Sequence, residues 1–119
     1  MNTKLIGRWG EEQAAAYLKK KGYKILAAGY TCRFGEIDLI TQKSGVTVFV
    51  EVKLRKNDGF AAAADNVTPA KMRRIKTAAQ MWLAQTDDDI PARFDVVEVY
   101  AENPGKKVDR INHIEDAFE

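Results

Sequence analysis

Val48, Val50, Val52 and Leu54 place an aliphatic side chain at every second position, and a second apolar run, Ile37-Asp38-Leu39-Ile40, precedes them across Lys43-Ser44-Gly45. Period-2 alternation with a turn signal between two runs predicts a β-hairpin with one buried face. A turn centred on Ser44-Gly45 pairs residues whose numbers sum to 89, so Leu39 faces Val50, Asp38 faces Glu51 and Glu36 faces Lys53. A slip of one residue would move every side chain to the other face. Any register that buries Ile37 and Leu39 with the valine row leaves Glu36, Asp38, Glu51 and Lys53 together opposite. Cross-strand neighbours have Cβ atoms about 4.5–5.5 Å apart, close enough for two carboxylates to hold one divalent ion. A solvated strand face with ordinary ion pairs satisfies the same spacing. Phe49 and Ile40 share the charged face, which implies that something covers part of it.

The rest of the chain fits around this hairpin. A first helix is expected from Thr3 to Lys21, stopping at Gly22, with Ile6, Gly10, Ala14, Tyr17 and Leu18 as its inward stripe. Lys19-Lys20-Lys21 complements the helix dipole and needs no other role. Glu11 lies one heptad before Leu18, at the margin of the stripe. Tyr23–Leu26 reads as a short strand, and the hairpin strands as Glu36–Thr41 and Val46–Leu54. Lys56-Asn57-Asp58-Gly59 signals a turn, and Phe60–Asn66 fits either a loop or a helical turn. Thr68-Pro69 supplies an N-cap and a first-turn proline for a second helix. Its core stripe is Met72, Ile75, Ala79, Trp82 and Leu83. Asp87–Pro91 forms a polar loop, Phe94–Tyr100 a strand, and Val108–Ile114 a last edge strand. The order α-β-β-β-α-β-β implies a mixed sheet flanked by helices in one layered α/β domain spanning 1–119.

Composition narrows the chemistry. With 119 residues, 45% of them hydrophobic, the chain can bury one core. No apolar stretch approaches the roughly 20 residues that span a bilayer. The first residues lack a secretory apolar region, and the lone Cys32 rules out an internal disulfide, so a reducing cytoplasm is expected. A small buried or half-buried thiol is the simplest role for Cys32. One histidine, His113, cannot build a His-rich zinc site, so a metal here would be held by oxygens, which favours Mg²⁺ or Mn²⁺. Residues 1–76 carry 15 Lys/Arg against 7 Asp/Glu, and residues 77–119 carry 4 against 10. A basic front around the acid cluster suits a polyanion such as nucleic acid.

Asp38, twelve intervening residues and Glu51-Val52-Lys53 match the D…(D/E)-x-K core of the PD-(D/E)XK nuclease superfamily. The whole chain resembles the UPF0102 family of small bacterial proteins, distantly similar to archaeal Holliday-junction resolvases. The blocks that carry the resemblance are Gly7-Arg8-Trp9-Gly10-Glu11, Gly22-Tyr23, Phe34–Ile40, Phe49–Lys53, Lys71, Arg93–Val97 and Ala117-Phe118. Gly29 and Thr31 stand where the family pattern suggests Asn and Arg. The resemblance implies a restriction-endonuclease-like fold with Asp38, Glu51 and the Val52 carbonyl as metal ligands. It makes Lys53 the catalytic lysine, Glu11 the first-helix acid and Glu36 an auxiliary acid. Arg55, Lys56, Lys71 and Arg74 are expected to contact the nucleic-acid backbone. The implied activity is divalent-metal-dependent endonucleolytic hydrolysis of DNA, with branched or structured DNA among the substrates. A catalytically inactive nucleic-acid-binding module of the same fold is the alternative. Symmetric cutting of a junction would call for a homodimer.

Overall fold

The computed structural model describes residues 2–56, 67–86 and 90–118. The element order is α1 (Thr3–Lys20), β1 (Lys24–Cys32), β2 (Gly35–Lys43), β3 (Val46–Arg55), α2 (Pro69–Leu83), β4 (Ala92–Tyr100) and β5 (Arg110–Phe118). The five strands form one sheet in sequence order. Only β3 and β4 run parallel, joined by the crossover that contains α2, and every other neighbour pair is antiparallel. The expected mixed α/β order is therefore the observed one. The turn and loop expected at 57–66 and Asp87–Asp89 of the polar loop lie outside the described residues.

Local signals act where the sequence puts them. Asn2 accepts a 2.9 Å bond from the Leu5 N–H and caps α1. Gly22, at φ +90°, closes the helix while the Tyr23 N–H bonds the Leu18 carbonyl, a Schellman arrangement. Thr68 caps α2 through the Lys71 N–H, with Pro69 in the first turn. Ser44 and Gly45 both have positive φ, the signature of a tight hairpin turn that matches strand twist. That turn fixes the expected register from Lys43 opposite Val46 to Leu39 opposite Val50.

Two apolar clusters sandwich the sheet. Ala14 and Leu18 of α1 pack with Leu39, Val48, Val50, Val97 and Val99. Ile75, Ala78 and Ala79 of α2 pack with Ile37, Ile40, Phe49, Val96 and Phe118. Three departures from the sequence reading matter. β1 does not end at Leu26 but runs to Cys32, because the ladder to β2 holds the Ala27-Ala28-Gly29 stretch that propensity alone would release. β5 continues past Ile114 to Phe118, whose ring stacks on Phe94 at 5.0 Å. Ile37 joins the α2-side cluster although Leu39 joins the α1-side one, so β2 changes face between them.

Candidate metal centre

Asp38 occupies the point where β2 changes face. The described β2–β3 ladder stops at Leu39 and Val50, and Asp38 is not a ladder partner of Glu51. Instead its Oδ2 accepts a 2.8 Å bond from the Val52 N–H, so a side chain closes the gap that the backbone leaves. On the other side, the β1 register places Gly29 between the Ala28–Leu39 and Tyr30–Ile37 pairs, opposite Asp38. Gly29 has φ +70°, a conformation that an L side chain resists.

The opening lets both layers reach Asp38. Glu11 comes from the middle of α1, and Glu11, Glu36 and Asp38 each bring a carboxylate oxygen within 4.8 Å of the others. Glu51, buried at 6% exposure, approaches from β3. Its Oε1 is 2.8 Å from Nζ of Lys71, in the first turn of α2, and Lys71 also lies beside Lys53. The sheet thus brings together Glu11, Glu36, Asp38, Glu51, Lys53 and Lys71.

Electrostatics show that the acids outweigh their counter-charges. Burial, and then the neighbouring Glu51 charge, push the Asp38 carboxyl up to about 8 despite the favourable Val52 N–H bond. Burial, followed by the Glu36 and Glu51 charges, raises Glu11, with Arg8 only partly opposing. Burial pulls the Lys71 ammonium down, but its bond to Glu51 prevails and holds it above the usual lysine range. A compact set of oxygen donors short of positive charge fits a hard divalent cation. The donor chemistry suits Mg²⁺ or Mn²⁺ and offers nothing to a soft metal.

The proposed backbone contacts fare unequally. Lys56 and Arg74 are exposed. Arg55 is not presented outward: it is buried, and its Nε lies 3.0 Å from Glu98 of β4. Lys71 is engaged with Glu51. Cys32 is a half-buried free thiol, as expected.

The sequence reading missed a second polar cluster. Arg93 grips Asp95 with two bonds of 2.9 and 3.0 Å, and Asp95 also accepts from the Asp116 N–H and lies 2.7 Å from His113 Nε2. Arg93 continues to the Tyr23 hydroxyl and Glu115. Asp95, His113 and Glu115 have ligand-like spacing. Every Asp95 oxygen is nevertheless already taken, and a guanidinium sits where a cation would go. The one local signal was Arg93 two residues before Asp95, on the same strand face.

A sheet whose central strands part around four carboxylates and two lysines defines a small α/β domain with a candidate oxygen-donor site. The chain belongs to the family described as "Uncharacterised protein family UPF0102", whose sequence profile matches residues 10–99. It is 47% identical over 119 residues to a UPF0102 protein of Syntrophomonas wolfei, covering 99% of this chain and all of that one. A UPF0102 protein of Caldanaerobacter subterraneus is 42% identical over 120 residues, covering 99% and 98%. One from Vibrio parahaemolyticus is 48% identical over 97 residues, covering 80% of each.

Proposed function

We propose that this protein is a divalent-metal-dependent endonuclease that hydrolyses phosphodiester bonds in DNA, with branched or structured DNA among its substrates. The observation that carries the reading is the convergence of Glu11, Glu36 and Asp38 within 4.8 Å, with Glu51 beside them and Lys53 and Lys71 on the flank. A binding module would gain nothing by gathering negative charge where a phosphate backbone must approach.

Asp38 and Glu51, with the Val52 carbonyl, would hold Mg²⁺ or Mn²⁺, and Glu11 and Glu36 would complete the acidic wall. When bound, such an ion polarises the phosphate and lowers the pKa of an attacking water. Asp38, whose carboxyl is pushed up to about 8, would have to be deprotonated to serve as a ligand, so cation binding would release a proton. Lys53 would offer positive charge to the phosphoryl oxygens, on which negative charge builds in the transition state. Lys56 and Arg74, both exposed, would contact backbone phosphates, which position a substrate without reading its sequence.

Cleavage of a labelled panel of single strand, duplex, flap and four-way junction, with Mg²⁺ or Mn²⁺, tests the proposal. Wild type and Asp38→Asn are purified identically. Metal-dependent cutting by wild type alone supports it. Equal cutting by both overturns the site, and DNA binding without cutting by either moves the protein to the binding-module class.

A further inference from the structure

A cleft of about 540 Å³ opens between the N-terminal half of α1 and the β1–β2 pair. Glu11 and Glu36 stand in its wall, so it is the α1-side approach to the acid cluster. Lys4 and Arg8, both exposed, carry positive charge along its α1 wall beside the exposed Glu12, while Leu39 contributes an apolar surface.

Gly7 also lines this cleft, one helical turn before Glu11 and on the same side of α1. A glycine inside a helix costs backbone entropy that alanine would not. Gly10, the other glycine of α1, is buried, and a Cβ there would make ordinary van der Waals contact with Leu54 at 3.8 Å. At Gly7 a Cβ would meet nothing within 4 Å, and the backbone is ordinary helix. Neither contact nor conformation calls for glycine there. What its missing side chain preserves is free space directly above Glu11.

We infer that this cleft receives one unpaired nucleotide of the strand to be cut, with Gly7 giving clearance to the base and Lys4 and Arg8 meeting the flanking phosphates. The volume suits a small ligand, since such pockets run to about 300–1,000 Å³. A base can enter such a cleft only when it is unpaired or turned out of the duplex stack. The inference rests on the nuclease reading and narrows its substrates to DNA that is unpaired beside the scissile phosphate.

The test measures binding by fluorescence anisotropy, with Ca²⁺ as the added ion, to a labelled single strand, a flap and a blunt duplex. Wild type, Gly7→Ala and Gly7→Trp are compared, and each is melted to verify folding. Gly7→Ala is expected to melt about 2–5 °C higher than wild type, because the helix gains and nothing clashes. Gly7→Trp fills the cleft and is expected to bind the single strand and flap about tenfold or more weakly, the scale set by losing one base's contacts. Its duplex affinity is expected to stay within about twofold of wild type, a difference well below 1 kcal/mol. A folded Gly7→Trp that binds every substrate like wild type overturns the inference, as does an equal loss on all three. If wild type binds none of them, the nucleic-acid reading falls and takes the inference with it, an outcome distinct from the other two.

Discussion

Asp95 is fully buried in the sheet and Asp38 half-buried at its opening, and their surroundings drive them in opposite directions. Burial and the Glu51 charge push Asp38 up to about 8. Burial also works against the charged form of Asp95, yet the His113 and Arg93 bonds, with the Asp116 N–H, hold it down to about 2. The difference in direction lies in the partners. Asp95 has a guanidinium fork, an imidazole and a backbone amide. Asp38 has one amide and three other acids around it. A buried acid with its partners supplied by the fold ties strands together, whereas one left among like charges costs stability and waits for a cation. The comparison also separates two clusters that share ligand-like spacing.

The largest expected effect comes from removing the satisfied acid. Asp95→Ala leaves Arg93 and His113 facing a void and should destabilise the fold by about 3–5 kcal/mol, measured by urea denaturation. A loss below about 1 kcal/mol would mean that the network is ornamental and the contrast with Asp38 false. Asp38→Asn should cut metal-dependent cleavage by at least about a hundredfold. The same variant should melt higher than wild type at pH 7–8, because it removes the cost of holding a carboxyl protonated far above its unfolded pKa. Both results from one substitution would sharpen the contrast, and a drop in melting temperature would break it.

The two acids also predict opposite pH behaviour. Asp38 is raised in the folded state, so its contribution is fully favourable below the unfolded pKa of about 4 and is lost as pH rises towards 8. Metal-free wild type should therefore lose on the order of 1–3 kcal/mol between pH 5 and pH 8, and Asp38→Asn should flatten that slope. Asp95 is depressed in the folded state. Its contribution of about 2 kcal/mol is present above the unfolded pKa and disappears as pH falls from about 4 through about 2. Melting curves across pH separate the two windows.

The smallest expected effect concerns Lys71, the resident counter-charge of Glu51. Lys71→Met should lower metal-free stability by about 1 kcal/mol. Added Mn²⁺ should then raise the melting temperature more in the variant than in wild type, since a bound cation favours the folded state and meets one competitor fewer. Equal metal-induced shifts would place the cation away from Glu51.

How much of this was legible follows from how far apart the partners lie. The hairpin register could be read because Ser44-Gly45 and two alternating runs lie next to each other. The caps at Gly22 and Thr68 are equally local. The acids Glu36, Asp38 and Glu51 could be named from alternation, and Glu11 from its place on the helix wheel. The change of face at Asp38 could not, because it comes from α2 drawing Ile37 down while α1 holds Leu39. Arg55 looked like a free surface cation until β4 brought Glu98 beside it. The Tyr23–Arg93–Asp95–His113 network joins β4 and β5 to the start of β1, and no local pattern announces it. The length of β1 was hidden for a related reason, since its weakest residues are held by the neighbouring strand.

The two outer strands carry one more consequence. Any open sheet exposes unpaired amides along β1 and β5, an invitation for other chains to add strands there. Here β1 is broken by a register shift between Ile25 and Ala27 and by the positive φ of Gly29. On the other side, the β4–β5 register shifts near Phe94, and Asp116 of β5 sits at φ +51°. Neither rim offers a long straight template, so the irregularities that shape the molecule also guard it against ribbon-like self-assembly.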